Sequence, residues 1–101
     1  MNRLIFASLQ DILFLRGAVN YTEVHLTNGR KIMSSYSLIH HQNQLEGFLR
    51  IDKSFLVNPY FIEKINSIGT QKEVQLKNGE RIKVSRRRKG VLKNNNLILQ
   101  S

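Results

Sequence analysis

The sequence predicts a small antiparallel all-β domain with one or two short helices, and two observations predict it. The first is an internal repeat. Glu23-Val-His-Leu-Thr-Asn-Gly-Arg-Lys-Ile-Met-Ser-Ser35 and Glu73-Val-Gln-Leu-Lys-Asn-Gly-Glu-Arg-Ile-Lys-Val-Ser85 match at seven of thirteen positions, fifty residues apart. Each copy alternates apolar and polar residues on both sides of Asn-Gly, a strong short-range hairpin signal because Asn and Gly tolerate positive φ. The second is that the remaining apolar runs are all short, as in a protein built of brief strands.

Taken along the chain, Leu4–Ala7 and Ile12–Leu15 read as strands, followed by the first hairpin. A strict two-residue turn would set Leu26 against Lys31 and Leu76 against Arg81. A type I turn with a glycine bulge sets Val24 opposite Ile32 and Val74 opposite Ile82, keeping one apolar face in phase, and is preferred. Ser37-Leu-Ile-His-His-Gln-Asn-Gln-Leu45 reads as a short helix, with Ser37 as cap, Leu38 and Leu45 seven apart, and Gly47 as the stop. Phe48–Ile51 and Phe55–Val57 read as strands. Asn58-Pro59 signals a helical start, since Asn caps well and Pro suits the first position, so a single turn through Phe61 to Lys64 is expected. The second hairpin follows, then a polar loop at Lys93-Asn-Asn-Asn96 and a last strand at Leu97–Leu99. The alternating set Phe55, Val57, Ile62, Ile65, Val74, Leu76, Ile82 and Val84 is the candidate core.

The 101 residues are expected to form one domain, with 41% hydrophobic residues able to bury a modest core. With no cysteine, a disulfide framework, a thiolate metal site and a cysteine nucleophile are all excluded. No apolar stretch, Ile12 to Leu15 included, is long enough to span a bilayer, and Met1-Asn2-Arg3 does not begin a signal peptide. A cytoplasmic protein is expected.

Charge is the most telling feature. The 16 Lys and Arg against 7 Asp and Glu leave a formal net charge of +9. It is one-sided: residues 68–101 carry net +7 and residues 1–67 only +2. The densest part, Ser85-Arg-Arg-Arg-Lys-Gly90, directly follows the second hairpin, where a loop can aim guanidinium groups outward. The planar fork of Arg fits phosphate oxygens and the O6/N7 edge of guanine, so nucleic acid is the natural partner. Catalytic chemistry is poorly supplied. The seven acids are scattered, and His40 and His41 are adjacent, about 100° apart on a helix, so they cannot share one metal. No cofactor, small-molecule substrate or enzyme activity is expected. The basic segment lacks the interleaved aromatics that a membrane surface would require.

Phe48-Leu-Arg-Ile-Asp-Lys-Ser-Phe-Leu-Val-Asn-Pro59, with Ile62 and Ile65, then Val74 to Gly79, Ile82-Lys-Val-Ser-Arg-Arg87 and Leu92-Lys93, resembles the LytTR family over about residues 4–99. That family is the DNA-binding output domain of many bacterial response regulators, which serve two-component systems. The resemblance implies an elongated fold of small antiparallel sheets. It also implies sequence-specific binding of double-stranded DNA as a transcription regulator, with loops laid into successive grooves at paired direct repeats. Carried onto this chain, it makes Asn20, Tyr21, Lys53 and Arg87, with Arg86 beside it, base-contact candidates. Ser54 and Ser85, with Arg50, Arg88 and Lys89, become phosphate-contact candidates. Two copies are expected on one DNA. Either the chain works alone or it is the output part of a longer regulator.

Two departures stand out. Asp52 occupies a position often neutral or basic, where it would repel phosphate unless it pairs with Lys53 or accepts from a cytosine amino group. Ser85 precedes three arginines and a lysine, which leaves open which arginine enters a groove. The competing reading is a basic β module that binds RNA or a protein, with dimerisation through an exposed strand edge.

Overall fold

In the computed structural model, residues 9–94 are described. A 3-10 turn, Leu9–Asp11, leads into β1 (Ile12–Gly17), which is followed by β2 (Thr22–Leu26) and β3 (Lys31–Ser34). Helix α1 (Leu38–Gln44) comes next, then β4 (Leu49–Asp52), β5 (Phe55–Val57) and a 3-10 turn, Pro59–Phe61. The chain continues through β6 (Ile62–Ile68), β7 (Gln71–Leu76) and β8 (Arg81–Val84), a 3-10 turn at Arg86–Arg88, and α2 (Lys89–Asn94). The strands form two antiparallel sheets, ordered β3-β2-β1-β5-β4 and β6-β7-β8.

The five-stranded sheet is the middle layer, because both of its faces are apolar. A bulge in β1 between Ile12 and Phe14 sets which of its apolar side chains share a face. Ile12 and Leu15 face one side, where they pack with Val24, Leu26, Leu56 and, from α1 and its end, Leu38 and Leu45. Leu13 and Phe14 face the other, where Leu49, Ile51 and Val57 meet Ile62, Ile65, Val74, Leu76, Ile82 and Val84 of the second sheet, with Leu92 of α2 closing the cluster. Each such side chain contributes about 1.5–3 kcal/mol on burial.

Both hairpins take the bulged turn: Val24 pairs with Ile32 and Val74 with Ile82. Gly29 and Gly79 sit at φ 89° and 98°, the left-handed conformation this turn demands. Helix α1 starts at Ser37, whose side chain accepts the His40 N–H, as expected for a cap.

Three expectations are corrected. The single turn at Asn58-Pro59 ends at Phe61, and Ile62–Lys64 begin a strand. A bulge in β6 between Ile62 and Lys64 brings Ile62 and Ile65 onto one inward face, so a three-residue apolar spacing here marks a bulged strand rather than a helix. The loop expected at Lys93–Asn96 is not one at its start: Lys93 and Asn94 extend α2, whose Leu92 is buried in the core, and Asn95 and Asn96 lie outside the described residues. The basic segment after β8 is likewise helical, not a loop. The strands expected at Leu4–Ala7 and Leu97–Leu99 lie outside the described residues.

One buried histidine ties α1 to β3. His41 is 1% exposed, with Nε2 2.7 Å from the Ser34 Oγ, and its Nδ1 is buried without a partner among the described residues. Burial, and secondarily the neighbouring His40, pull its pKa below the ordinary 6.5. The unfolded chain then binds a proton more readily than the folded one, so stability is full above pH 6.5 and falls as pH drops below it. Urea titrations between pH 5 and 8 should show this loss, and His41→Gln should flatten it; parallel profiles for the two proteins would refute the assignment.

Candidate nucleic-acid interface

Three segments converge at one end of the five-stranded sheet. The β1–β2 loop closes with the Ala18 N–H donating to the Tyr21 carbonyl at 2.8 Å, which leaves Val19 and Asn20 at its tip. Asn20 and Tyr21 are both exposed. Gly17 N–H donates to the Ser54 carbonyl at 2.8 Å, so this loop adjoins the β4–β5 turn. Ser85 N–H donates to the Ile51 carbonyl at 2.8 Å, which brings the basic segment against β4 beside the same turn.

The β4–β5 turn is braced from within. Asp52 Oδ2 accepts the Ser54 N–H at 3.0 Å, the hydrogen bond of an Asx turn. That is the structural use of Asp52; no ion pair to Lys53 is present among the described residues. Arg50 then clamps the turn. Its Nε donates to the Asp52 carbonyl at 3.0 Å, one terminal nitrogen donates to Gln42 Oε1 at 2.7 Å, and the other donates to the Lys53 carbonyl. Burial, then the nearby Arg88, pull its pKa down from the ordinary value, against a smaller opposing effect of Asp52. With its carbonyl held, Lys53 projects into solvent.

In the basic segment, Arg88 N–H donates to the Ser85 carbonyl at 3.0 Å, closing the 3-10 turn. Arg86 and Arg87 are exposed, while Arg88 and Lys89 are half-buried. The Lys89 ammonium donates to the Thr70 carbonyl in the β6–β7 turn, so a fourth loop borders the strip. The Ser85 hydroxyl is buried and has no hydrogen-bond partner among the described residues. A cleft of about 200 Å³ lies here, lined by Asp52, Lys72, Lys83, Ser85, Arg86 and Lys89 among others.

At the base of the first loop, the nearly buried Glu23 lies 3.3 Å from Arg16 and 3.0 Å from His25. The His25 hydrogen bond holds the Glu23 carboxyl below its ordinary pKa despite desolvation, with Lys31 and Arg16 adding to the effect. Arg16 is thereby partly neutralised. A hollow of about 690 Å³ lies at the other end of the sheet, lined by Leu9, Phe48, Asn58, Tyr60 and Phe61 among others, well away from the cationic strip.

The sequence names these segments as candidates but does not show how they are held. The use of Arg50 as a brace, the β6–β7 turn as a neighbour and the exposed Val19 carry no motif of their own. Among the described residues, no group of three His, Asp or Glu side chains could hold a metal, and no helix is long and apolar enough to cross a membrane.

The model of the LytTr DNA-binding domain matches residues 2–96, nearly the whole chain. The chain belongs to the LytTr family. It is therefore a DNA-binding domain. A solved LytTr DNA-binding domain from Bacillus cereus, described as that of a methyl-accepting/DNA response regulator, shares the fold with a TM-score of 0.76 and 24% identity. The match covers 83% of this chain and 79% of that one. No curated protein matches. The fold expected from the sequence, small antiparallel sheets with one or two short helices, is the one observed, with two such sheets.

Proposed function

We propose that this LytTr domain binds double-stranded DNA sequence-specifically, as the output domain of a transcription regulator acting in the cytoplasm. One observation carries this reading: the β1–β2 loop, the Lys53 turn and the Arg86–Lys89 segment adjoin at one end of the sheet through the Gly17–Ser54 and Ser85–Ile51 hydrogen bonds. The molecule measures 38 × 25 × 20 Å, and its longest dimension is comparable to the roughly 34–36 Å between successive turns of a duplex face.

Lys53, Arg86 and Arg87, all exposed, and Asn20 and Tyr21 at the first loop are the side chains we assign to base edges. Arg88, Lys89 and the Ser54 turn are assigned to phosphates. Arg50 and Ser85, whose polar groups face inward, support them. The exposed tyrosines Tyr21 and Tyr60 lie at opposite ends of the five-stranded sheet and Tyr36 stacks on His40, an arrangement that favours a duplex over a base-stacked single strand.

The test is a selection from random duplex DNA at about 0.15 M salt with structured RNA as competitor, using wild type and Arg87→Ala. Wild type should enrich a paired repeat that takes up two copies of the chain. Neutralising about six phosphates predicts a log-log salt slope near −5. Arg87→Ala should relax one position by about 1–3 kcal/mol, the worth of a guanine fork. Equal competition by RNA, with a mutant that is merely weaker, would leave only an electrostatic patch.

A further inference from the structure

Val19 is 95% exposed, the highest value among the large hydrophobic side chains described. It sits at the tip of the β1–β2 loop, between the Ala18 and Tyr21 groups that close it. Loop tips ordinarily take Gly, Asn, Asp or Ser, whereas β-branched Val suits a strand and gains nothing here from packing. Its neighbours are exposed Asn20 and Tyr21, and the base of its loop is bonded to the turn that presents Lys53. An apolar side chain has thus been placed where the fold needs none, beside groups suited to base edges.

We propose that Val19 is a specificity-determining residue that reads thymine, packing its two methyl groups against the C5-methyl of the base in the major groove. Resting on the duplex-binding reading above, this names the base that the first loop selects. The C5-methyl is the apolar feature of the major-groove edge, and it distinguishes thymine from cytosine at the same position. Neither the guanidinium groups nor Lys53 can sense it. A branched aliphatic group can, and one on a short closed tip loses little freedom in doing so.

The experiment uses the duplex enriched by wild type, with each thymine replaced in turn by deoxyuridine, which removes only the methyl. One replacement should weaken wild-type binding about fourfold, the equivalent of about 0.8 kcal/mol for one buried methyl-sized group. Val19→Ser should bind thymine and deoxyuridine equally at that position while keeping the other preferences, and Val19→Ile should retain the difference. At the same position, 5-methylcytosine should bind wild type better than cytosine. Because the side chain is exposed, the melting temperature of Val19→Ser should match wild type. A wild type indifferent to deoxyuridine at every position, or a Val19→Ser protein that still prefers thymine, overturns the assignment while leaving sequence-specific binding in place. If no duplex is enriched at all, the duplex-binding reading fails and the thymine contact falls with it.

Discussion

Asn58→Ala is expected to destabilise the domain by about 2–3 kcal/mol, the cost of losing a cap and stranding buried carbonyls. Asn58 is 8% exposed and every part of it is engaged. Its Nδ2 donates to the Ile12 carbonyl at 3.0 Å and the Leu9 carbonyl at 3.3 Å, and its Oδ1 accepts the Tyr60 N–H at 3.1 Å. Its own N–H donates to the Leu13 carbonyl at 3.0 Å and its carbonyl accepts from Phe61 at 3.1 Å. The residue therefore fastens the start of the central strand to the turn by which the chain leaves one sheet for the other. Alanine keeps the backbone bonds but leaves the Ile12 carbonyl unpaired in the core. For a domain of this size the melting temperature should fall by about 10 °C or more. Asn58→Asp retains the cap acceptor yet sets a carboxylate against that carbonyl, so it should be no better than alanine. Thermal melts of the three proteins decide this; an alanine variant within about 0.5 kcal/mol of wild type would show that the contacts carry little.

Much of the fold was legible because local signals and tertiary packing agree. The Asn-Gly pairs demand positive φ at Gly29 and Gly79, and the alternation on either side then admits one register with the apolar face inward. Ser37 and Leu38 likewise announce α1. Legibility failed where a bulge broke the two-residue period. Ile62 and Ile65 share a face of β6 only because the bulge between Ile62 and Lys64 shifts the strand, and three-residue spacing imitates a helix. In the sequence the basic segment resembles a loop because its charges mask the role of Val91 and Leu92, whose packing against the core anchors α2.

The site divides the same way. The motif names Lys53, Arg86 and Arg87 as candidates, but side-chain direction is set by the fold, and a sequence does not say which cations point outward. Arg50 is the clearest instance. From the motif it is one more phosphate contact; in the structure its donors are turned onto Asp52, Gln42 and Lys53.

That difference makes the strongest prediction about binding. Arg50→Ala should weaken specific DNA binding by about tenfold or more, since charge-assisted hydrogen bonds contribute roughly 1.5–3 kcal/mol and the clamp holds the Lys53 turn in shape. Binding to random duplex should change much less, and the salt slope should fall by well under the 0.9 expected for a lost phosphate contact. Arg50→Lys should fail to rescue, because an ammonium keeps the charge but cannot span the Asp52 and Lys53 carbonyls and Gln42 at once. In a double-mutant cycle with Lys53→Ala the two losses should overlap, since each disables the same turn. Equal losses on specific and random DNA with a slope change near one, or full rescue by lysine, would instead make Arg50 a phosphate ligand. The clamp accounts for why an arginine half-buried beside Arg88 is kept at a cost in desolvation. Its fork joins α1, through Gln42, to the turn that presents Lys53, so the shape of that turn depends on this guanidinium.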